Sequence, residues 1–194
     1  MSMRVGILGS GLMGGKLGTL ARKAGKNARA GTPGEAAQEA DALLLAVHWS
    51  RIDDVLSQAG DFSGKVIVSC SLPMNADDTA LVVADTSSGA EELARRIPKS
   101  RFVAAFNTVP SEVLFSVFNS RRNAKRPSLV YCGDDPRGKR VAARLIRDVG
   151  FDPVDAGPLR IARYTEPFGL LVAQLAYERK GGPKLAYRFE RFGK

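Results

Sequence analysis

Arg4-Val5-Gly6-Ile7-Leu8-Gly9-Ser10-Gly11-Leu12-Met13-Gly14-Gly15 lies near the start of the chain and decides its fold. Val5 to Leu8 is a short apolar run, which predicts a buried strand. Gly9, Gly11 and Gly14 follow with the spacing G-x-G-x-x-G, and an amphipathic helix is predicted from Leu12. Between a strand and a helix each glycine has a task. Gly9 allows the tight turn, Gly11 lets backbone approach a pyrophosphate, and Gly14 lets the helix pack closely on the strand. The free N–H groups at the helix start then face the phosphates, where the helix dipole favours negative charge. Gly9, Gly11 and Gly14 are therefore candidate cofactor-binding positions.

Composition narrows the rest. The 194 residues suit one domain, 44% apolar and 25% charged, with a sizeable core. No apolar run approaches the roughly 20 residues that span a bilayer, and charge and glycine interrupt the start as no signal peptide would. No membrane association is expected. Cys70 and Cys132 each end an apolar run and read as reduced, buried thiols, so a cytoplasmic protein is expected. With one histidine and no cysteine at metal-ligand spacing, no metal site is expected. The net charge of +9 suits nucleic acid, acidic surfaces or polyanionic small molecules. The one basic run, Arg121-Arg122-Asn123-Ala124-Lys125-Arg126, has no interleaved aromatic residue, so it reads as a solvated loop and no nucleic-acid partner is expected.

Downstream, strands and helices alternate. Strands are predicted over 41–47, 65–70, 101–106, 128–132 and 151–154, and a closing edge strand over 184–189. Helices are predicted over 34–40, from a Ser50-x-x-Asp53 cap, from a Ser88-x-x-Glu91 capping box, over 111–118, from Asp135-Pro136 to Val149, and over 161–177. This pattern predicts an α/β, Rossmann-like, doubly wound and mainly parallel sheet. Its spacing is short in one place. After the first helix only residues 25–40 precede the next strand, so one α/β piece is shortened or missing, and Lys26–Gly31 is assigned the second strand's place. Ligands bind at the carboxyl ends of such strands. The glycine loop, His48-Trp49, Ser71-Leu72-Pro73 and Asn107-Thr108 should therefore converge on one crevice.

An NAD-preferring chain places an acid about 20 residues past its first glycine, on the ribose 2′-hydroxyl. Counting from Gly9 reaches Ala28 to Thr32, which hold no acid. Arg29 and Thr32 stand there instead and suit a 2′-phosphate, so NADP is predicted over NAD. His48 reads either as a general acid beside the nicotinamide or as a residue lining the crevice through its backbone. No Ser/His/Asp constellation or paired-carboxylate spacing stands out, and no catalytic residue is assigned.

Several motifs together resemble one family. They are Met3-Arg4-Val5 with the glycine loop, Val103-Ala104-Ala105-Phe106-Asn107-Thr108-Val109-Pro110, Val130-Tyr131-Cys132-Gly133-Asp134-Asp135, and Asp155-Ala156-Gly157-Pro158-Leu159 followed by Ala162-Arg163-Tyr164-Thr165-Glu166. The chain resembles the NADP oxidoreductases that depend on the deazaflavin coenzyme F420, over nearly its full length. The related cytosolic domain of the membrane ferric reductases shares the F-N-T and C-G-D patterns. The resemblance implies hydride transfer between nicotinamide carbon 4 and a deazaflavin ring. By position it places Ser10, Leu12 and Met13 at the pyrophosphate, and Val47, His48, Trp49 and Asn107 around the nicotinamide. Ser71, Leu72 and Pro73 fall at the second ring. The family's grip on the 2′-phosphate has no clean counterpart here, since Gly31-Thr32 aligns there only across a deletion.

Residues 1–194 are thus read as one NAD(P)-binding domain, with 1–107 the dinucleotide core and 108–194 an extension of the sheet plus helices. The function predicted is an oxidoreductase moving a hydride between NADPH and a small-molecule acceptor, a deazaflavin or flavin. A non-catalytic dinucleotide-binding protein, favoured by the short 25–40 region, and a flavin or ferric reductase are the alternatives. The apolar face of 161–177 is compatible with a homodimer.

Overall fold

The computed structural model describes residues 3–193. Strand β1 (Arg4–Leu8) leads through the glycine loop into helix α1 (Leu12–Lys23). Then follow β2 (Asn27–Ala30), α2 (Pro33–Gln38), β3 (Ala42–Leu45), α3 (Ile52–Ala59), β4 (Val66–Ser69), α4 (Gly89–Arg96) and β5 (Arg101–Ala105). The remainder is α5 (Leu114–Asn119), β6 (Ser128–Gly133), α6 (Pro136–Val149), β7 (Asp152–Asp155) and α7 (Ala162–Tyr177). The strands form one sheet in the order β2-β1-β3-β4-β5-β6-β7, parallel throughout except at β5–β6. This is the Rossmann-like α/β fold that the sequence predicts.

The order shows which piece is gone. A full dinucleotide half places a further strand outside the second one. Here β2 pairs with β1 from Arg4↔Asn27 to Ile7↔Ala30 and stands at the edge. The second strand is kept, as assigned. The helix and strand that would follow it are absent, and the six-residue α2 leads straight to β3.

Period-2 alternation divides the core between the two faces of the sheet. Val5, Ile7, Leu44, Val66, Val68, Val103 and Ala105 face α1, α5 and α6. Leu8, Leu43, Leu45, Ile67, Phe102 and Ala104 face α2, α3, α4 and the start of α7. The central strands carry little but apolar residues because both faces are covered.

Local signals that the sequence carried mostly held. Ser88 caps α4, and Asp135 with Pro136 opens α6, which stops at left-handed Gly150. Two expectations change. Ser50 is not a cap; the His48 side chain caps a 3-10 turn, Trp49–Arg51, that precedes α3. Residues 184–189 form no strand. Strand β6 is already paired on both sides, so the segment can only close its start. Ser128 N–H donates to the Tyr187 carbonyl at 2.8 Å, and Phe189 N–H to Ser128 Oγ at 2.9 Å. The buried end of this strap is the Tyr187 hydroxyl, 2.7 Å from the Thr108 hydroxyl, where it also accepts the Val130 N–H at 3.1 Å.

A second tie joins α7 to α4. Glu166 is buried and accepts the N–H groups of Gly89 at 2.8 Å and Ala90 at 2.9 Å, the first donors of α4. Burial pushes its carboxyl up to about 7, against the lowering effect of those two N–H donors, with the Glu91 charge adding to the rise. A carboxyl raised above its unfolded value of 4.5 holds its proton longer in the native chain. Its contribution to stability is thus fully present below pH 4.5 and lost as pH rises through about 7. The linked loss is at most about 3 kcal/mol. Denaturant unfolding measured across that window should show the decline in wild type and a flatter profile in Glu166→Gln.

Candidate active site

The chain turns sharply after β1 at Gly9, whose φ of +114° is adopted at little cost only by glycine. Helix α1 then starts with Gly11 as its N-cap, with no side-chain cap and no acidic residue in its first turn. Its first N–H groups are therefore left for an outside acceptor. A Cβ on Gly14 would fall 2.1 Å from the Gly9 carbonyl oxygen, so the helix start is pressed against the loop. A Cβ on Gly11 would meet nothing within 4 Å, because that position faces open space. An uncapped helix start beside an open glycine fits a pyrophosphate.

That open space is a crevice of about 560 Å³ across the carboxyl ends of the strands. Gly11, Leu12 and Met13 form one wall; Ala46, Val47 and His48 follow β3; Cys70, Ser71 and Leu72 follow β4. The Ser71 hydroxyl donates to the Val47 carbonyl at 2.7 Å and ties two of these loops together. Phe106 and Asn107 follow β5. Phe106 is fully buried at φ +66°, a conformation that costs an aromatic residue about 1–3 kcal/mol. Thr108, held by Tyr187, fixes the next turn of chain. Helix α7 supplies the far wall with Gly169, Val172, Ala173 and Tyr177.

The polar groups on the rim are few. His48 Nδ1 accepts the Ser50 N–H at 3.3 Å and lies 2.8 Å from the Ser50 hydroxyl. Its Nε2 is 3.1 Å from Asp78 Oδ1. Tyr177 donates its hydroxyl to Glu112 at 2.8 Å, and burial with that neighbouring carboxylate pushes the phenol upward. Lys16 Nζ reaches Ser111 Oγ at 3.1 Å. Burial pushes the Cys70 thiol up to about 12, so it stays protonated and offers no thiolate at neutral pH.

Of the residues named from the sequence, the structure brings Gly11, Leu12, Met13, Val47, His48, Ser71, Leu72 and Asn107 onto this crevice. Gly9 and Gly14 shape the loop behind it, and Ser10 is exposed on the loop. Trp49 turns away onto the core beneath α3, and Pro73 is buried against Gly89. Arg29 and Thr32 do not line it. The Thr32 hydroxyl and Glu35 form a capping box that starts α2. Arg29 lies 3.6 Å from Glu39 and lines a separate depression of about 330 Å³ with Gly31, Glu35 and Gln38. Sequence reading missed Asp78 and the α7 wall. The Gly169-x-x-Val172-Ala173 spacing was the available signal for the latter. Among the described residues no three His, Cys, Asp or Glu side chains gather to hold a metal, and no helix is long and apolar enough to cross a membrane.

A Rossmann-like sheet with a glycine-loop cradle and a crevice at its switch point is the arrangement in which open α/β sheets bind dinucleotides. Comparison with known proteins then narrows the likeness. Residues 15–73 match the family described as NADP oxidoreductase, coenzyme F420-dependent. Metalloreductase STEAP3 of Rattus norvegicus is 29% identical over 136 residues, 70% of this chain but 26% of that protein. The chain thus spans about a quarter of that relative's length. A candidate F420-dependent NADP reductase from Arthrobacter sp. FB24 superposes with a TM-score of 0.86 at 19% identity, covering 98% of this chain and 100% of the other. A hypothetical protein from Sinorhizobium meliloti gives 0.72 at 23% identity, covering 98% and 97%. Pyrroline carboxylate reductase of Plasmodium falciparum, solved with NADP bound, gives 0.55 at 15%, covering 79% and 57%. The structures share the fold. The family match and the named reductases carry the resemblance to NADP-dependent reductases that the motifs predict.

Gly11 offers a clean test of the cradle. Because its added Cβ meets no protein atom, Gly11→Ala should still fold, losing no more than the roughly 1 kcal/mol by which alanine is a poorer N-cap than glycine. The methyl group would stand where a pyrophosphate must approach, so NADPH affinity should fall at least about tenfold, or about 1.4 kcal/mol, in calorimetric titration.

Proposed function

We propose that this chain is an oxidoreductase that passes a hydride between NADPH and a deazaflavin or flavin acceptor. The observation that carries the proposal is the shape of the crevice. One end is an uncapped helix start beside Gly11, and the other is an apolar wall of Leu72, Val172 and Ala173. A dihydronicotinamide held there would supply the hydride. The chain's own task is to orient two flat rings and exclude water, for which approach geometry outweighs acid–base groups.

In this reading Gly9, Ser10, Gly11, Leu12 and Met13 hold the pyrophosphate. Val47, His48 and Asn107 border the nicotinamide, and Ser71 and Leu72 border the acceptor, with Pro73 fixing their loop against α4. The protonated Cys70 thiol adds apolar surface rather than a nucleophile. Two free, buried thiols suit a reducing cytoplasm. The exposed Tyr164, Leu171 and Leu175 on α7 suit a second copy of the chain. One continuous sheet supports a single domain, with residues 1–107 carrying the cofactor and 108–194 closing the crevice through α7.

One observation favours a second reading, a dinucleotide-binding protein without turnover. Arg29 and Thr32, the residues suited to a 2′-phosphate, are engaged with Glu39 and Glu35. Steady-state oxidation of NADPH separates the two. Turnover with a deazaflavin or flavin, faster with NADPH than NADH, is the expected result. Binding of NADPH without turnover on deazaflavin, flavins, quinones or ferric chelates would favour the second reading. Turnover on ferric chelates alone would move the site toward the metalloreductase activity named for the rat relative.

A further inference from the structure

His48 is the one histidine of the chain and stands at the carboxyl end of β3, on the crevice rim. Its ring is fixed from both sides. Nδ1 accepts the Ser50 N–H and so caps the 3-10 turn Trp49–Arg51. The Ser50 hydroxyl, 2.8 Å from Nδ1, can donate or accept; with Nδ1 as acceptor of the Ser50 N–H, the proton of the neutral ring falls on Nε2. Nε2 faces Asp78 Oδ1 at 3.1 Å. Asp78 comes from residues 74–82, which fold back on themselves. Met74 bridges to Leu81, and the Asn75 side-chain oxygen accepts the N–H groups of Thr79 and Ala80 at 2.9 and 3.2 Å. Asp78 itself sits in the left-handed region at φ +55°. The imidazole N–H therefore borders the space where the two rings would meet, resting on a carboxylate that is 66% exposed.

We propose that His48 is a catalytic hydrogen-bond donor, its Nε2–H resting on Asp78 and turning to a carbonyl oxygen of the acceptor as the hydride arrives. This rests on the oxidoreductase reading above. The acceptor class it specifies is a ring bearing an N–C=O unit, as flavins and deazaflavins do. In the step, the C4–H bond of a bound dihydronicotinamide would break and its hydrogen and electron pair would form a C–H bond on a deazaflavin or an N–H bond on a flavin. NADP leaves oxidised, and the acceptor gains one negative charge spread over its N–C=O unit. His48 stabilises that charge while keeping its own proton, and a proton from solvent neutralises the product. Asp78 is exposed enough for water to take over its hydrogen bond when Nε2–H turns away. A donor whose ring is already fixed reaches the developing charge without first being reoriented from solution.

The capping role and the donor role come apart by substitution. Asn is a good N-cap, so His48→Asn keeps the turn but is too short to present an N–H at the crevice. His48→Gln places an amide N–H near the Nε2 position. Asn at 48 should leave thermal stability unchanged and lower kcat about 10²-fold, the loss typical of one such donor, a larger effect than any change in NADPH affinity. Gln should recover much of that loss. Independently of activity, a long-range 1H–15N spectrum of this single imidazole should show the Nε2–H tautomer and a shift at Nε2 when the acceptor is added. Wild-type kcat in His48→Asn, or an Nδ1–H tautomer, would overturn the proposal alone. A wild-type protein that turns over no acceptor would remove the oxidoreductase reading, and this proposal with it.

Discussion

Strand β1 and the glycine loop after it are gripped at backbone distance, one by α2 and the other by α1, and the rest of the molecule is arranged around those contacts. On one face α1 comes so near that a Cβ on Gly14 would lie 2.1 Å from the Gly9 carbonyl oxygen. On the other, a Cβ on Gly6 would lie 2.1 Å from the Ala36 carbonyl oxygen of α2. The first contact aims the start of α1 at the crevice. The second lets a helix of six residues cover β1 without the intervening helix and strand of a full dinucleotide half. Any side chain at Gly6 or Gly14 would push a helix off the sheet, so the site and the shortened topology depend on the same economy of space.

The crevice is also held from its far side by the C-terminal third of the chain. Glu166 fastens α7 to the first turn of α4, which in turn packs Gly89 on Pro73 beside Leu72. Tyr187 fastens the terminal strap to Thr108, next to Asn107 and the strained Phe106. Phe168, Tyr187 and Phe189 stack edge to face around that tie. A turn that stores strain at Phe106 persists only where its surroundings over-determine it, and the strap with the buried Phe106 ring does that here. The Leu72 and Asn107 sides of the crevice are thus positioned by Glu166 and Tyr187, which do not line it.

Much of this was legible in the residue order. The strand–glycine–helix unit, the alternation of elements, the short 25–40 region and the convergence of four loops all follow from local pattern, because periodicity and turn chemistry act over a few residues. What was not legible depends on distance in space. Thr32 suits a phosphate by composition, but Glu35 three residues on makes it a capping box. Trp49 and Pro73 fall beside crevice residues in sequence yet point into the core, since a one-residue step changes the face. Asp78 and α7 reach the crevice only through long-range folding, and nothing in the spacing of Glu166 announces that its carboxylate caps a helix 76 residues upstream. In the basic run 121–126, Arg121 lies over the Phe118 ring at 3.9 Å and Arg126 pairs with Asp152, contacts that the residue order does not announce.

The central claim is that the cradle at Gly9–Met13 and the crevice beyond it are one cofactor site. A crystal structure of the protein with NADPH tests this most directly. The pyrophosphate should lie on the first N–H groups of α1 and the nicotinamide between Val47, His48 and Asn107. NADPH seated instead in the depression of Arg29, Glu35 and Glu39, with the crevice empty, would contradict it.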